Sequence, residues 1–457
     1  MSKNNLPGSF RDPNGFLFFK NHTLLRQVNL LYKENYNFLM NSGLYKTLTD
    51  KNLLIPHEET TIDTQENGDV FKIIKPEVIT FISYPYEWCF GQLKQAALLT
   101  LEIQKEALNH GMSLKDASAY NVQYYKGNAV FIDTLSFEIY KEGSPWVAYK
   151  QFCQHFLAPL ALIVYKDIQL NQLSKVYLDG IPLDLAVKLL PKKAWLSISL
   201  FTHIYMHSKS QKYYENKTPD KKSLHIGKTS LYALIDNLES FINKLSLKAS
   251  ATQWGDYYNN NNYTDSSIEQ KKQIVAEYLD KINPKNLWDI GGNTGMFGRI
   301  ASDRGIDTVS FDIDPAAIEK SYNECIQKKE TNILPLIMDF TNPSSCIGWA
   351  GEERMSLFKR GPADTILALA IIHHLAISNN VPLNDIADLL SKNCNSLIIE
   401  FVPKSDSQVK KLLESREDIF PNYTKEGFEK AFSVYFNIET FCSIENSQRT
   451  LYLLRKK

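Results

Sequence analysis

Apolar residues recur with two different rhythms along the chain. Beyond about residue 245, short apolar runs at 286–290, 308–312, 333–338, 364–370 and 396–401 alternate with helical stretches, one opening at Met296 and one near 316–327. Strands alternating with helices imply right-handed crossovers and hence an α/β, doubly wound, mostly parallel sheet. A further helix precedes Pro284. The first half reads differently. Strand-like pieces at 16–19, 23–28, 70–74 and 78–83 interleave with a helical stretch near 30–44. A long amphipathic helix follows at about 90–110, with Leu93, Ala97, Leu98, Leu101 and Leu108 as its apolar positions. This is an α+β pattern, a short-strand lobe followed by a helical lobe. Polar segments at 208–223 and 259–267 mark connections, and no internal repeat of fixed period is present. The expected organisation is an N-terminal domain over 1–207, a helical connector over 208–244 and a C-terminal domain over 245–457.

Composition narrows the class. A chain of 457 residues with 44% hydrophobic and 22% charged residues is ordinary globular material for two or three domains. Lys plus Arg (51) balances Asp plus Glu (51), so no domain-wide basic field favours nucleic acid or an anionic membrane, and a small-molecule or protein partner is expected. The opening residues lack the apolar run of a signal peptide and no stretch approaches a membrane span, which makes cytoplasmic location the expectation. The six cysteines form no Cys-x-x-Cys pair and read as free thiols. His203 and His207 share a helix face at i, i+4, but no Glu or third ligand is in register, and the Lys-rich run 217–222 reads as a solvated loop.

The sharpest constellation is Leu287-Trp288-Asp289-Ile290-Gly291-Gly292-Asn293-Thr294-Gly295, a strand running into a glycine-rich turn that opens a helix. Glycines there let backbone approach a ligand at the carboxyl end of the strand. A dinucleotide turn would read G-x-G-x-x-G, placing amides on a pyrophosphate. Here an acid, Asp289, precedes the first glycine, repelling phosphate and suiting a cation. Acids follow in order at later strand ends, Asp312 and then Asp339, before Ala363-Asp364-Thr365-Ile366-Leu367-Ala368-Leu369-Ala370-Ile371-Ile372-His373-His374-Leu375. In this order the half resembles Rossmann-like class I S-adenosylmethionine-dependent methyltransferases, with Asn293 in place of the middle glycine of their turn. The resemblance implies that Asp289, Gly291, Gly292, Asn293 and Gly295 cradle S-adenosylmethionine, that Asp312 holds its ribose and that Asp339 lies near its adenine amino group. A pyridine-nucleotide dehydrogenase is the outside alternative.

Residues 397–406, Leu-Ile-Ile-Glu-Phe-Val-Pro-Lys-Ser-Asp, together with 419–424, Ile-Phe-Pro-Asn-Tyr-Thr, are similar to nodulation-protein-like methyltransferases, and Glu400 is placed near the acceptor. Methyl transfer to a hydroxyl or amine calls for a base. His373 or His374 supplies it, or the pair packs the strand end and frames the pocket. Upstream, the aromatic residues Trp254, Tyr257, Tyr258 and Tyr263 either cover the cofactor or pack on the sheet edge.

After the long N-terminal helix, Asp116 and Asn121 stand at D-x-x-x-x-N spacing, followed by a short hairpin around Gly127 and an apolar strand ending at Asp133. A phosphotransferase needs these groups as base, metal ligand and metal-to-phosphate bridge. The half resembles protein-kinase-like folds, with 78–87 as the strand and hinge for adenine. It departs from them at Leu114, where His is usual, at Asp133-Thr134-Leu135, and in lacking a strand lysine, Arg26 being the nearest cation, and a glycine-rich phosphate loop. The expected function is transfer of a methyl group from S-adenosylmethionine to an O or N acceptor on a small metabolite or glycan. Two roles stay open for the kinase-like half. It is either an active phosphotransferase, with Mg-ATP held by Asn121 and Asp133 and Asp116 as base, or a non-catalytic nucleotide- or substrate-binding scaffold.

Overall fold

The computed structural model describes residues 5–60, 69–214, 226–247, 265–414 and 416–457. The chain forms two compact units, Met1–Ala249 with Cys346–Arg354, and Ser250–Ser345 with Met355–Lys457.

In the first unit, strands β1 (Gly15–Lys20), β2 (Thr23–Asn29), β3 (His57–Thr60) and β4 (Val70–Pro76) form an antiparallel sheet in the order β1-β2-β4-β3. The sequence reading did not place β3, because His-Glu-Glu-Thr on a sheet edge carries no apolar alternation. It also expected a strand at 78–83 that does not form. There the Gln123 side chain takes the place of a neighbouring strand, accepting the Ser83 N–H at 2.8 Å and donating to the Ser83 carbonyl at 2.9 Å. The helical stretch near 30–44 is broken, since the helix Lys33–Asn41 stops before Gly43, whose φ of 81° starts a second helix, Leu44–Asp50.

The long helix Phe90–Asn109 forms as expected and buries Leu93, Ala97, Leu101 and Leu108. Its buried Gln104 reaches sideways to fix the next segment, donating to Ser113 Oγ at 3.0 Å and accepting the Leu114 N–H at 2.7 Å. Strand β5 (Met112–Leu114) pairs with β8 (Phe137–Ile139), and β6 (Val122–Tyr125) pairs with β7 (Asn128–Phe131). The β6–β7 turn is Lys126-Gly127, with φ of 48° and 77°, the doubly positive conformation of tight hairpins.

The second unit is a seven-stranded sheet of β9 (Asn286–Ile290), β10 (Asp307–Asp312), β11 (Ile333–Ile337), β12 (Ala363–Ala368), β13 (Cys394–Phe401), β14 (Phe436–Ser443) and β15 (Thr450–Lys456). Their order is β11-β10-β9-β12-β13-β15-β14. Pairings from β11 to β13 are parallel, and β15 runs antiparallel to both neighbours. The sheet is therefore mostly parallel, as expected, with one reversed strand that the sequence reading had not placed. Buried Ile274, Val275 and Leu279 of the helix Asp265–Ile282 share a core with Leu287, Phe297, Leu367, Ile398 and Leu453. The chain changes direction across the sheet between β9 and β12, and such a switch point opens a crevice at the carboxyl ends of the strands. Among the described residues no helix is long and apolar enough to cross a membrane.

Candidate active site

At the end of β9 the chain turns through Gly291, at φ 71°, Gly292 and Asn293, at φ 52°. Gly295, at φ 81°, then caps the helix Met296–Ser302. Asparagine tolerates the left-handed conformation better than most side chains, which is how it stands in for glycine in this turn. Gly292 is required by space. A Cβ there would lie 2.4 Å from both Asp289 Oδ2 and Ser310 Oγ.

Asp289 is buried beneath the turn, where its Oδ2 accepts from the Gly298 N–H at 3.1 Å and from Ser310 Oγ at 3.4 Å. Burial pushes its pKa up to about 7. At the end of β10, Asp312 accepts the Asn293 N–H at 2.8 Å on one oxygen and the Asp314 N–H at 2.9 Å on the other. Burial raises this carboxyl to about 6, against the effect of the two amides. After β11, Asp339 is fixed by Thr341, whose backbone N–H and Oγ1 donate to its Oδ1 at 2.8 and 2.6 Å.

A cavity of about 370 Å³ brings these groups together. Asp289, Gly291, Gly292, Asn293, Asp312 and Asp339 line it, with apolar walls that include Phe297 and Phe340. Gly295 shapes the turn without lining the cavity. His374 lines it, and burial lowers its pKa to about 4; His373 packs behind, buried, with its pKa driven down by burial in the same sense. Their rings lie 4.2 Å apart, and His373 Nδ1 has no hydrogen-bond partner. Glu400 is not on the cavity wall. It is fully buried in β13, 2.7 Å from Lys271 Nζ and 3.9 Å from Arg449. Arg449 in turn binds Asp406 at 2.8 and 3.2 Å, and Tyr423 donates to the Val402 carbonyl at 2.8 Å, so the 397–406 and 419–424 segments are knit at the sheet's carboxyl end. The sequence reading missed Lys271, which lines the cavity from the helix Asp265–Ile282. Its signal was a lysine on the apolar face marked by Ile274, Val275 and Tyr278.

In the first unit, Asp116 accepts the Ser118 N–H at 3.0 Å and the Gln151 amide at 2.8 Å, and burial raises its pKa. Asp133 is held by Arg26, 2.5 Å from its Oδ1, while its Oδ2 accepts from the Ser136 hydroxyl. Asn121 donates its amide to the same hydroxyl at 3.2 Å. His203 is shared between Tyr149, at 2.7 Å, and Asn237, at 2.9 Å, and His207 stacks on Tyr149. Among the described residues no cluster of three His, Cys, Asp or Glu side chains could hold a metal. Trp254, Tyr257, Tyr258, Tyr263 and the 217–222 run lie outside the described residues.

No family model matches the chain. It is 35% identical to the nodulation protein NoeA of Rhizobium meliloti (strain 1021), over 98% of this chain and 95% of that protein. The chain belongs to the NoeA family. Solved structures similar to this NoeA-family chain include the N-methyltransferase NodS of Bradyrhizobium japonicum WM9, at 12% identity over 42% of this chain and 97% of that one, TM-score 0.31. Another is magnesium protoporphyrin IX methyltransferase (ChlM) of Synechocystis PCC 6803 with bound S-adenosylhomocysteine, at 14% identity over 45% and 93%, TM-score 0.32. Within the second unit the strands run 3-2-1-4-5-7-6 with strand 7 reversed. In this NoeA-family chain the glycine turn and the ordered acids at the strand ends lie together around one cavity.

Proposed function

We propose that the protein moves the methyl group of S-adenosylmethionine to an oxygen or nitrogen of a small metabolite or glycan, at the cavity of its second unit. The observation that carries this reading is that Asp289, Asp312 and Asp339, from three successive strand ends, line one cavity. A carboxylate suits each part of such a donor. Asp312, already oriented by two amides, has lone pairs left for ribose hydroxyls, and Asp339 stands beside the aromatic wall of Phe340, where an adenine fits. Asp289 supplies negative charge under the turn. Bound there, S-adenosylmethionine supplies an activated methyl group on a cationic sulfur. The chain's own part is to fix the acceptor in line and take its proton. His374 is our candidate for that base. It lines the cavity, and above about pH 4 its imidazole is neutral with a lone pair to accept a proton. Glu400, paired with Lys271, is assigned to the support of the wall.

For the first unit we propose a kinase-like scaffold that binds without phosphoryl transfer. The β5–β8 and β6–β7 pairings and the nearness of Asn121 and Asp133 support the kinase-like reading. The groups assigned to Mg-ATP do not fit that role. Arg26 and Ser136 take the Asp133 oxygens, while Asn121 gives only its amide N–H to Ser136, so with Asp133 occupied no step is routed through a metal there. The reading is tested by calorimetry of S-adenosylmethionine, S-adenosylhomocysteine and NAD on the whole chain, followed by incubation of radiolabelled S-adenosylmethionine with pooled small metabolites and glycans. Tighter binding of NAD than of S-adenosylmethionine overturns it.

A further inference from the structure

Lysine is among the residues least often found fully buried. Yet Lys271 has a side chain only 3% exposed, and it sits on the wall of the cavity. Its neighbours on the same helix face, Ile274, Val275 and Tyr278, are core residues, so an apolar side chain would satisfy packing at this position. A buried ion pair gains little over such a side chain, because each charge must be taken out of water. The Lys271–Glu400 pair, at 2.7 Å, therefore explains how the ammonium is tolerated and leaves open what it does at a ligand cavity.

The surroundings supply an answer. The ammonium lies 4.7 Å from the centre of the Phe297 ring, and Phe297 is itself a wall residue. Asp289 lines the same cavity, close enough for its charge to act on the lysine. Lys271, Arg449, Glu400, Asp406 and the ionised form of Asp289 sum to one negative charge. A ligand end with two cationic groups and one anionic group neutralises that sum, with the anion at the lysine and a cation at Asp289. Asp339, the group assigned to the opposite end of the ligand, follows β11, which lies two strands from β9 and so about 10 Å away across the sheet. That span suits a nucleoside joined to a charged tail.

We propose that Lys271 binds the α-carboxylate of the amino-acid end of S-adenosylmethionine, opposite Asp289 on the ammonium side, so that this end of the cavity reads an α-amino-acid zwitterion. The proposal rests on the S-adenosylmethionine reading and adds a selectivity to it. Lys271 discriminates against donors that lack the carboxylate.

The test compares S-adenosylmethionine with decarboxylated S-adenosylmethionine, two cations that differ only in that group, by calorimetry on the whole chain. The wild type should bind the carboxylated compound about tenfold more tightly or better, the loss expected for one charge-assisted contact. Lys271→Met should remove most of this preference by weakening S-adenosylmethionine alone, and Lys271→Arg should keep it. The doubly neutral Lys271→Met/Glu400→Gln variant covers the case in which the single change leaves Glu400 unpaired and the protein unfolded; it too should bind both compounds alike. Equal affinities in the wild type, or a Lys271→Met loss shared equally by both compounds, would make Lys271 a counter-ion of Glu400 and overturn the proposal alone. No binding of either compound to the wild type would overturn the methyltransferase site reading with it.

Discussion

The backbone N–H of Asn293 points at the carboxylate of Asp312, 2.8 Å from its Oδ2, and thereby locks the glycine turn after β9 to the end of β10. Asn293 reaches that position only because it stands at φ 52°. One side chain thus sets the shape of the loop and presents acceptors to the cavity. Replacing it should affect both. Asp312→Ala is expected to cost about 1.5 to 3 kcal/mol of binding, roughly tenfold to a hundredfold in S-adenosylmethionine affinity. Calorimetry reads this directly, and unchanged affinity removes Asp312 from the site.

Asp289 gives the site a pH dependence. An aspartate in an unfolded chain titrates near 3.9, whereas burial holds Asp289 at about 7 in the fold, which therefore favours the protonated acid. The folded-state pKa being the higher one, the ligand-free protein loses stability as pH rises from about 4 to about 7. Asp289→Asn should consequently raise the unfolding temperature at pH 8 and change it little at pH 4. The same variant should bind S-adenosylmethionine more than tenfold less tightly, because a cation needs the ionised form. Wild-type affinity should fall as pH drops below about 7, and the Asn variant should lose the part of that slope centred near 7, keeping the part from Asp312 near 6. Calorimetry at pH 6 and pH 8 on both proteins checks it.

Gly292 gives a steric test. A methyl group there would meet Asp289 Oδ2 and Ser310 Oγ at 2.4 Å, well inside contact distance, so Gly292→Ala must push the turn outward or displace Asp289. Loss of S-adenosylmethionine binding by more than tenfold is expected. Gly305→Ala is the contrast: it adds backbone strain, at φ 77°, with nothing within 4 Å of the added carbon, whereas Gly292 is not at positive φ and its substitution adds crowding; Gly305→Ala should leave binding intact. Unchanged binding in Gly292→Ala would show that the turn absorbs the crowding at Asp289.

The second unit was legible in the sequence because its central strands are buried on both faces and read as continuous apolar runs, those of β9, β10, β11 and β12 leading into residues that line the cavity. Strands β14 and β15 escaped for opposite reasons. Phe436–Ser443 alternates half-buried and exposed residues along an edge after a buried Phe436, and Thr450–Lys456 is apolar but follows no helical stretch that would announce a crossover. Lys271 escaped because a lysine within a helix reads as solvated unless the fold shows which face is covered. Glu400 misled for the converse reason. A strand-end acid in this sheet often faces ligand, and here Lys271 and Arg449 approach it instead. In the first unit, 78–83 has strand composition, and nothing in its own residues reveals that Gln123, 40 positions on, supplies its hydrogen bonds.

The first unit turns on Arg26 and Asp133, whose side chains are 9% and 15% exposed and 2.5 Å apart. Removing Asp133 leaves Arg26 only the more distant Asp12, at 3.6 Å, so the cost stays below the roughly 3 to 5 kcal/mol of a fully orphaned buried charge. Asp133→Ala should therefore lower the unfolding temperature of the first unit while leaving S-adenosylmethionine affinity unchanged, since the cofactor groups all belong to the second. A metal-bound triphosphate would have to displace Arg26 from Asp133, and the Ser136 hydroxyl with it, before either carboxylate oxygen could reach a cation. ATP with magnesium should accordingly give no thermal shift in the wild type. A magnesium-dependent shift that Asp133→Asn abolishes would show that Arg26 yields its place, and would return the unit to the phosphotransferases, with Asp116 as the base to test next.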